Sequence, residues 1–167
     1  MGREKVYGIT LSVALMVFLP SMASGEMVHF SIELNGLNVV PNPVATMGTG
    51  AGWARLDPST NTLEWSIAYG DLTGPATAAH FHGPADPSGT AGPQLTLDFS
   101  KNPIVGSDVI TVDQASDLLD GKWYANIHTE AYSTGEIRGQ LTRVIPEPMS
   151  LSLLGLGGLA LWRKRRG

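Results

Sequence analysis

An all-β fold is what this sequence predicts: an antiparallel β-sandwich or flattened barrel with a Greek-key chain path and one short helical insertion. Three observations lead there. Apolar residues recur with a period of two in five segments between Val28 and Val144, the repeat of strands with one buried face. Stretches rich in Gly, Pro and Asn separate the alternating runs. A single segment, TVDQASDLLDG, carries the stripe and end signals of a helix.

Taken in order, VHFSIEL sets Val28, Phe30, Ile32 and Leu34 against His29, Ser31 and Glu33. Residues 36–52 read as a loop. TLEWSIAY sets Leu63, Trp65, Ile67 and Tyr69 on one face, and DPSTN before it (residues 57–61) is a turn, as Asp-Pro and Asn dictate. AAHFH alternates around Phe81, and residues 84–93 form a second loop. QLTLDF turns Leu95, Leu97 and Phe99 inward; WYANIHT does so with Trp123, Ala125 and Ile127; GEIRGQLTRV with Ile137, Gly139 and Leu141. In the helical segment Thr111 or Asp113 is the cap, Ala115, Leu118 and Leu119 make the stripe, and Gly121 ends it. The count comes to about seven short strands. Trp65 and Trp123 fall on inward positions, which favours core packing over sugar stacking, and Trp53 follows a Gly-rich loop.

Both chain ends read as addresses. Residues 1–25 combine Arg3 and Lys5, the apolar run Gly8 to Leu19, and small residues at Ser21, Ala23 and Gly25; that is the three-part pattern of a secretory signal peptide. Residues 145–167 combine Pro146-Glu147-Pro148, an apolar run from Met149 to Trp162, and the basic cluster Arg163 to Arg166. The apolar run is short against the roughly twenty residues of a typical spanning helix, and its basic tail belongs on the cytoplasmic side. This order of features resembles the PEP-CTERM sorting signal. The resemblance implies export across the inner membrane of a Gram-negative bacterium and transient anchoring by a short transmembrane helix. Cleavage near Pro-Glu-Pro by an exosortase-type protease follows, in organisms that make exopolysaccharide.

What remains, residues 26–144, has the size of one domain. It keeps five basic residues (Arg55, Lys101, Lys122, Arg138, Arg143) against thirteen acidic ones, a net charge of −8 where the whole chain carries −4. An acidic module without a basic cluster is no nucleic-acid binder. The chain has no cysteine, so an exported domain that could have used disulfides relies on its apolar core.

The strand alternation also places the polar residues. With Phe81 inward, His80 and His82 share the other face, pointing away from the core or into a groove at its edge. With Ile127 inward, His128, Asn126 and Tyr124 point outward; with Ile137 and Leu141 inward, so do Glu136 and Arg138. If these segments are neighbours, His80, His82, Asn126, His128, Glu136 and Arg138 form one polar patch.

AAHFHGPA, followed by WYANIHTEAYSTGEIRGQL, resembles the CHRD (chordin-type) domain. The resemblance rests on His80-Phe81-His82-Gly83-Pro84, Asn126-Ile127-His128-Thr129 and Gly135-Glu136-Ile137-Arg138-Gly139-Gln140. FSIELNGLNVVPNP and GTGAGWARLD fit the family's first hairpin. The resemblance implies an extracellular all-β module without catalytic activity.

Two readings of the patch stand side by side. In the preferred one it is structural: ring nitrogens bond backbone carbonyls or carboxylates, and Glu136 and Arg138 stitch strands together. In the other it is a zinc or copper site. Residues i and i+2 of a strand lie about 6.5–7 Å apart on one face, so His80 and His82 can share an ion, with His128 as third ligand and Glu136 or water as fourth. Copper-zinc superoxide dismutase also has an HxH strand on a Greek-key sandwich. This chain lacks that enzyme's cysteines and its zinc loop, leaves only His29 as a fourth histidine, and so departs from that pattern. No GxSxG, HExxH, P-loop or dinucleotide motif is present. The expectation is therefore a non-enzymatic surface or matrix module, with no required cofactor. Its expected partners are a sorting protease, the membrane, and an exopolysaccharide or matrix protein.

Overall fold

The computed structural model describes residues 25–145. The address segments, including Pro146, Glu147 and Pro148 and nearly all of the amino-terminal one, lie outside the described residues. Among the described residues no helix is long and apolar enough to cross a membrane.

Eight strands form one curled antiparallel sheet, half of a barrel, which is the flattened-barrel form of the expected architecture. They are β1 (Val28–Asn35), β2 (Thr49–Asp57), β3 (Thr62–Gly70), β4 (Ala76–His82), β5 (Pro93–Thr96), β6 (Ile104–Val109), β7 (Tyr124–Thr129) and β8 (Ile137–Arg143). Their order across the sheet is β5-β4-β7-β8-β1-β2-β3-β6. β1, β2 and β3 run as a meander. The chain then crosses to β4 and β5, returns to the far edge for β6, and passes through helix α1 (Val112–Leu119) to the centre. The last strand pairs with the first, Ile32 opposite Leu141.

One face of the sheet holds the core. Phe30, Ile32 and Leu34 of β1 pack there with Leu56, Leu63, Trp65, Ile67, Phe81, Ile104, Leu118, Trp123, Ile127, Ile137 and Leu141. Most of the inward set read from the alternation is buried, Phe81 completely, while Val28, Tyr69, Leu95 and Phe99 are half-buried at the margin of the core. Phe81 meets Trp65 edge-on at 5.4 Å between ring centres and Trp123 at 6.3 Å. Helix α1 starts as its residues dictate: Thr111 accepts from the Gln114 amide, Gln114 reaches back to the Thr111 amide, and Gly121 follows the end at φ +73°.

Two strands differ from the expectation, and for one reason. β2 begins at Thr49, so the first loop ends before Gly52, and β6 was not expected at all. In β2 the inward positions facing Leu34 and Ile32 are Gly50 and Gly52, and a Cβ on Gly52 would lie 2.4 Å from the Ser66 carbonyl. In β6 the inward Gly106 lies under the Trp65 ring, 2.4 Å from where its Cβ would be, while Val105 and Val109 face outward. Glycine at inward positions makes room for large neighbours and erases the apolar alternation that marks a strand. β5 is shorter than QLTLDF; Leu97 still packs inward, its amide bonded to the Ala79 carbonyl at 2.9 Å. Trp53 faces outward, half exposed, with Arg55 over its ring and Arg55 paired to Glu64.

Candidate functional site

Antiparallel register builds the other face of the sheet's centre. Between β4 and β7, His82 stands opposite Tyr124, His80 opposite Asn126, and Ala78 opposite His128. Between β7 and β8, Tyr124 stands opposite Gln140 and Asn126 opposite Arg138. All these side chains share the face away from Phe81, Ile127 and Ile137, as the period of two requires. Ala78 is small, so the His128 ring leans over it toward His80.

The three imidazoles converge. His80 Nδ1 and His128 Nε2 are 3.2 Å apart. Ring centres lie 5.2 Å apart for His80 and His128, 5.5 Å for His80 and His82, and 6.0 Å for His82 and His128. One nitrogen from each ring falls within 4.8 Å of the others.

Hydrogen bonds fix which nitrogens face the cluster. His82 Nδ1 lies 2.9 Å from the Ala91 carbonyl, and His128 Nδ1 lies 3.0 Å from the Ser133 carbonyl. A carbonyl only accepts, so both Nδ1 atoms carry the proton and both Nε2 atoms keep a lone pair. His128 Nε2 then accepts from His80 Nδ1. His82 Nε2 is buried without a partner among the described residues. Burial pushes the His82 pKa down more than its bond to Ala91 raises it; burial and the neighbouring His128 lower that of His80. The neutral rings this favours are the form that ligates metals.

A loop closes over this face, which the alternation had placed away from the core or in a groove at its edge. Residues 83–92 cover it, and His82, Asn126, His128 and Arg138 are each less than a tenth exposed. Arg138 lies 3.6 Å from the Tyr124 ring centre and donates to the Gly89 carbonyl at 2.8 Å. Tyr124 stacks on His82 at 5.0 Å and 10°, and its hydroxyl bonds Ala91. Gln140 donates to the Ala85 carbonyl at 3.0 Å. Arg138, Tyr124 and His82 thus form a stacked column tying the loop to the sheet. Asn126 donates to the Thr134 carbonyl at 3.0 Å. The close approach of Gly135 (φ +123°) to Asn126, where a Cβ would lie 2.2 Å from Oδ1, leaves room for glycine alone.

Glu136 departs from the expectation. It neither points into water nor joins the histidines, and it is not paired with Arg138. Its fully buried carboxylate accepts from Thr46 Oγ1 (2.6 Å), the Thr73 amide (2.8 Å), Thr73 Oγ1 (2.8 Å) and Thr129 Oγ1 (2.7 Å). With every lone pair engaged, it ties the loops of Thr46 and Thr73 to the end of β7. Arg138, also expected outside, is buried beneath the 83–92 loop because Tyr124 and the loop carbonyls receive its guanidinium. Tyr124 and Gln140 complete the site without having stood out as candidates. Their signal was there, since Tyr124 shares the Asn126 and His128 face of WYANIHT.

The CHRD domain family matches residues 30–141, from β1 through β8 and across all three histidines. The chain belongs to the CHRD domain family. Members of that family are extracellular-type, non-catalytic modules, and here the CHRD module occupies nearly the whole described domain. No curated protein and no solved structure matches the chain.

Proposed function

We propose that this CHRD module is an exported, non-enzymatic component of the cell surface or extracellular matrix. The amino-terminal segment directs it through the inner membrane. The Pro146-Glu147-Pro148 segment with its apolar run and basic tail anchors it briefly, until an exosortase-type protease releases it among exopolysaccharide or matrix proteins. The observation that carries this reading is the CHRD match over residues 30–141, set between two segments with the order of sorting signals. Mass spectrometry of the protein recovered from medium and outer surface tests it. A chain ending near Glu147 is expected; secreted protein with an intact Arg163–Gly167 terminus would overturn it.

A second reading has an observation of its own. The convergence of His80, His82 and His128 within 4.8 Å supports an extracellular protein that binds zinc or copper through its HxH strand. Release from the membrane and metal capture are compatible in one module.

A further inference from the structure

We infer that the CHRD module's imidazole cluster is a three-ligand site for a borderline divalent transition ion, formed by His82 Nε2, His128 Nε2 and His80 Nδ1, with a fourth coordination position left for a solvent or exogenous ligand. This deepens the metal-binding reading and rests on it.

Four observations carry it. The first is tautomer control from outside. The Nδ1 atoms of His82 and His128 are spent on the Ala91 and Ser133 carbonyls, which turns both Nε2 lone pairs the same way. A backbone carbonyl on the far nitrogen of a ligating histidine is the usual outer support of a metal site, so the carbonyl bonds that a purely structural cluster would show also prepare a ligand set. The second is the buried, unpartnered His82 Nε2. A buried acceptor without a donor is destabilising, and an ion would relieve it. The third is spacing. Metal–nitrogen bonds of about 2.0–2.1 Å in a tetrahedral site put ligand nitrogens about 3.3 Å apart. The His80 Nδ1–His128 Nε2 edge is 3.2 Å, and one nitrogen of each ring lies within 4.8 Å of one nitrogen of each of the other two. An edge at that limit needs to close by about 1.5 Å relative to that tetrahedral spacing, and the broad χ2 torsion of histidine allows such a rotation. The fourth is composition. The set holds three imidazoles and no carboxylate, because Glu136 is engaged by threonines. Imidazole suits zinc and copper; calcium and magnesium require oxygen ligands. Copper(II) should bind more tightly than zinc.

One proton must move. Without metal, His80 Nδ1–H donates to His128 Nε2. To ligate, His80 gives up that proton at Nδ1 and takes one at Nε2, remaining neutral, so the ring changes tautomer and the protein's charge does not. His82 and His128 keep Nδ1–H throughout. His80 is the least buried of the three, which places the exchanging nitrogen nearest to solvent.

The test uses the purified, metal-stripped full chain. Calorimetry with zinc is expected to give one ion per chain and with copper(II) a tighter one. His80→Ala, His82→Ala and His128→Ala should each weaken zinc more than about 100-fold, beyond the range for outer-support residues, and His29→Ala should leave it unchanged. Long-range ¹H–¹⁵N NMR of the unsubstituted chain gives a readout independent of whether variants fold. His80 should pass from Nδ1–H to Nε2–H on zinc addition while His82 and His128 stay Nδ1–H. If the unsubstituted chain binds neither ion, the metal reading falls and this assignment with it. If zinc binds but the three variants bind it equally well, metal binding stands and the assignment falls. A His80 ring that remains Nδ1–H with zinc bound overturns its role as the third ligand.

Discussion

Phe81 and Glu136 show how differently two fully buried side chains can hold one domain. Phe81 is a packing residue, wedged between Trp65 and Trp123. Phe81→Ala removes a ring that neighbouring strands cannot collapse to replace, so a loss of about 3–5 kcal/mol is expected. Equilibrium denaturation measures it, and a loss under about 1 kcal/mol would mean that the ring is not central to the core. Glu136 holds by charge-assisted hydrogen bonds. Burial works to raise its pKa, but the bonds from Thr46, Thr129 and Thr73 outweigh that and keep it below the ordinary carboxylate value. Its folded pKa is therefore depressed relative to the unfolded chain. The stability it confers is fully present above the unfolded value, about 4.3, and is lost as pH falls through the folded pKa. Thermal melts between pH 7 and pH 3 should show a steeper acid decline for the natural protein than for Glu136→Gln. Parallel declines would remove Glu136 as the source.

At the scale of elements, the loop of residues 83–92 shapes the site more than any strand does. Nothing in GPADPSGTAG suggests a cover, since Gly and Pro mark a loop without saying where it lies. Its place is set by distant partners: Arg138 and Gln140 on β8, Tyr124 on β7 and His82 on β4. For this reason the polar residues could be assigned to the correct face from Phe81, Ile127 and Ile137, whereas the loop that covers them could not be foreseen. The histidine convergence was legible because a period of two fixes faces and the strands proved to be neighbours. The fate of Glu136 was not, since Thr46 and Thr73 come from loops with no pattern. The hidden strands β2 and β6 make the same point at the backbone, where Gly52 and Gly106 yield their inward space to Ile67 and Trp65. Replacing Arg138 by Met, which keeps the stem but not the hydrogen bonds, should release the loop. Amide exchange between Asp86 and Ala91 should quicken by the equivalent of about 1.5–3 kcal/mol, the worth of bonds to a charged group. Unchanged exchange there would show that the column does not hold the loop.

At the scale of the molecule, a curled sheet separates two tasks. One face packs a disulfide-free core beneath α1, and the centre of the other carries a polar site under a loop. The all-β class and the helix followed from alternation and end signals, because these are local signals that the tertiary fold reinforced; of the two caps the sequence offered, Thr111 and Asp113, Thr111 is the one used. The choice of one curled sheet over two packed ones depended on the pairing of β8 with β1, a contact between chain ends that no local pattern encodes. The CHRD scaffold thereby brings segments about forty-eight residues apart, His80 and His128, within hydrogen-bond distance.

The most direct test of that account is an anomalous difference map from crystals of the protein grown with zinc and measured at the zinc absorption edge. One peak is expected, about 2.0–2.1 Å from His82 Nε2, His128 Nε2 and His80 Nδ1, with the Ala91 and Ser133 carbonyls still bonded to the far nitrogens of the first two. A map with no peak among the three rings, or with zinc held only at His29 or on the surface carboxylates, would contradict it.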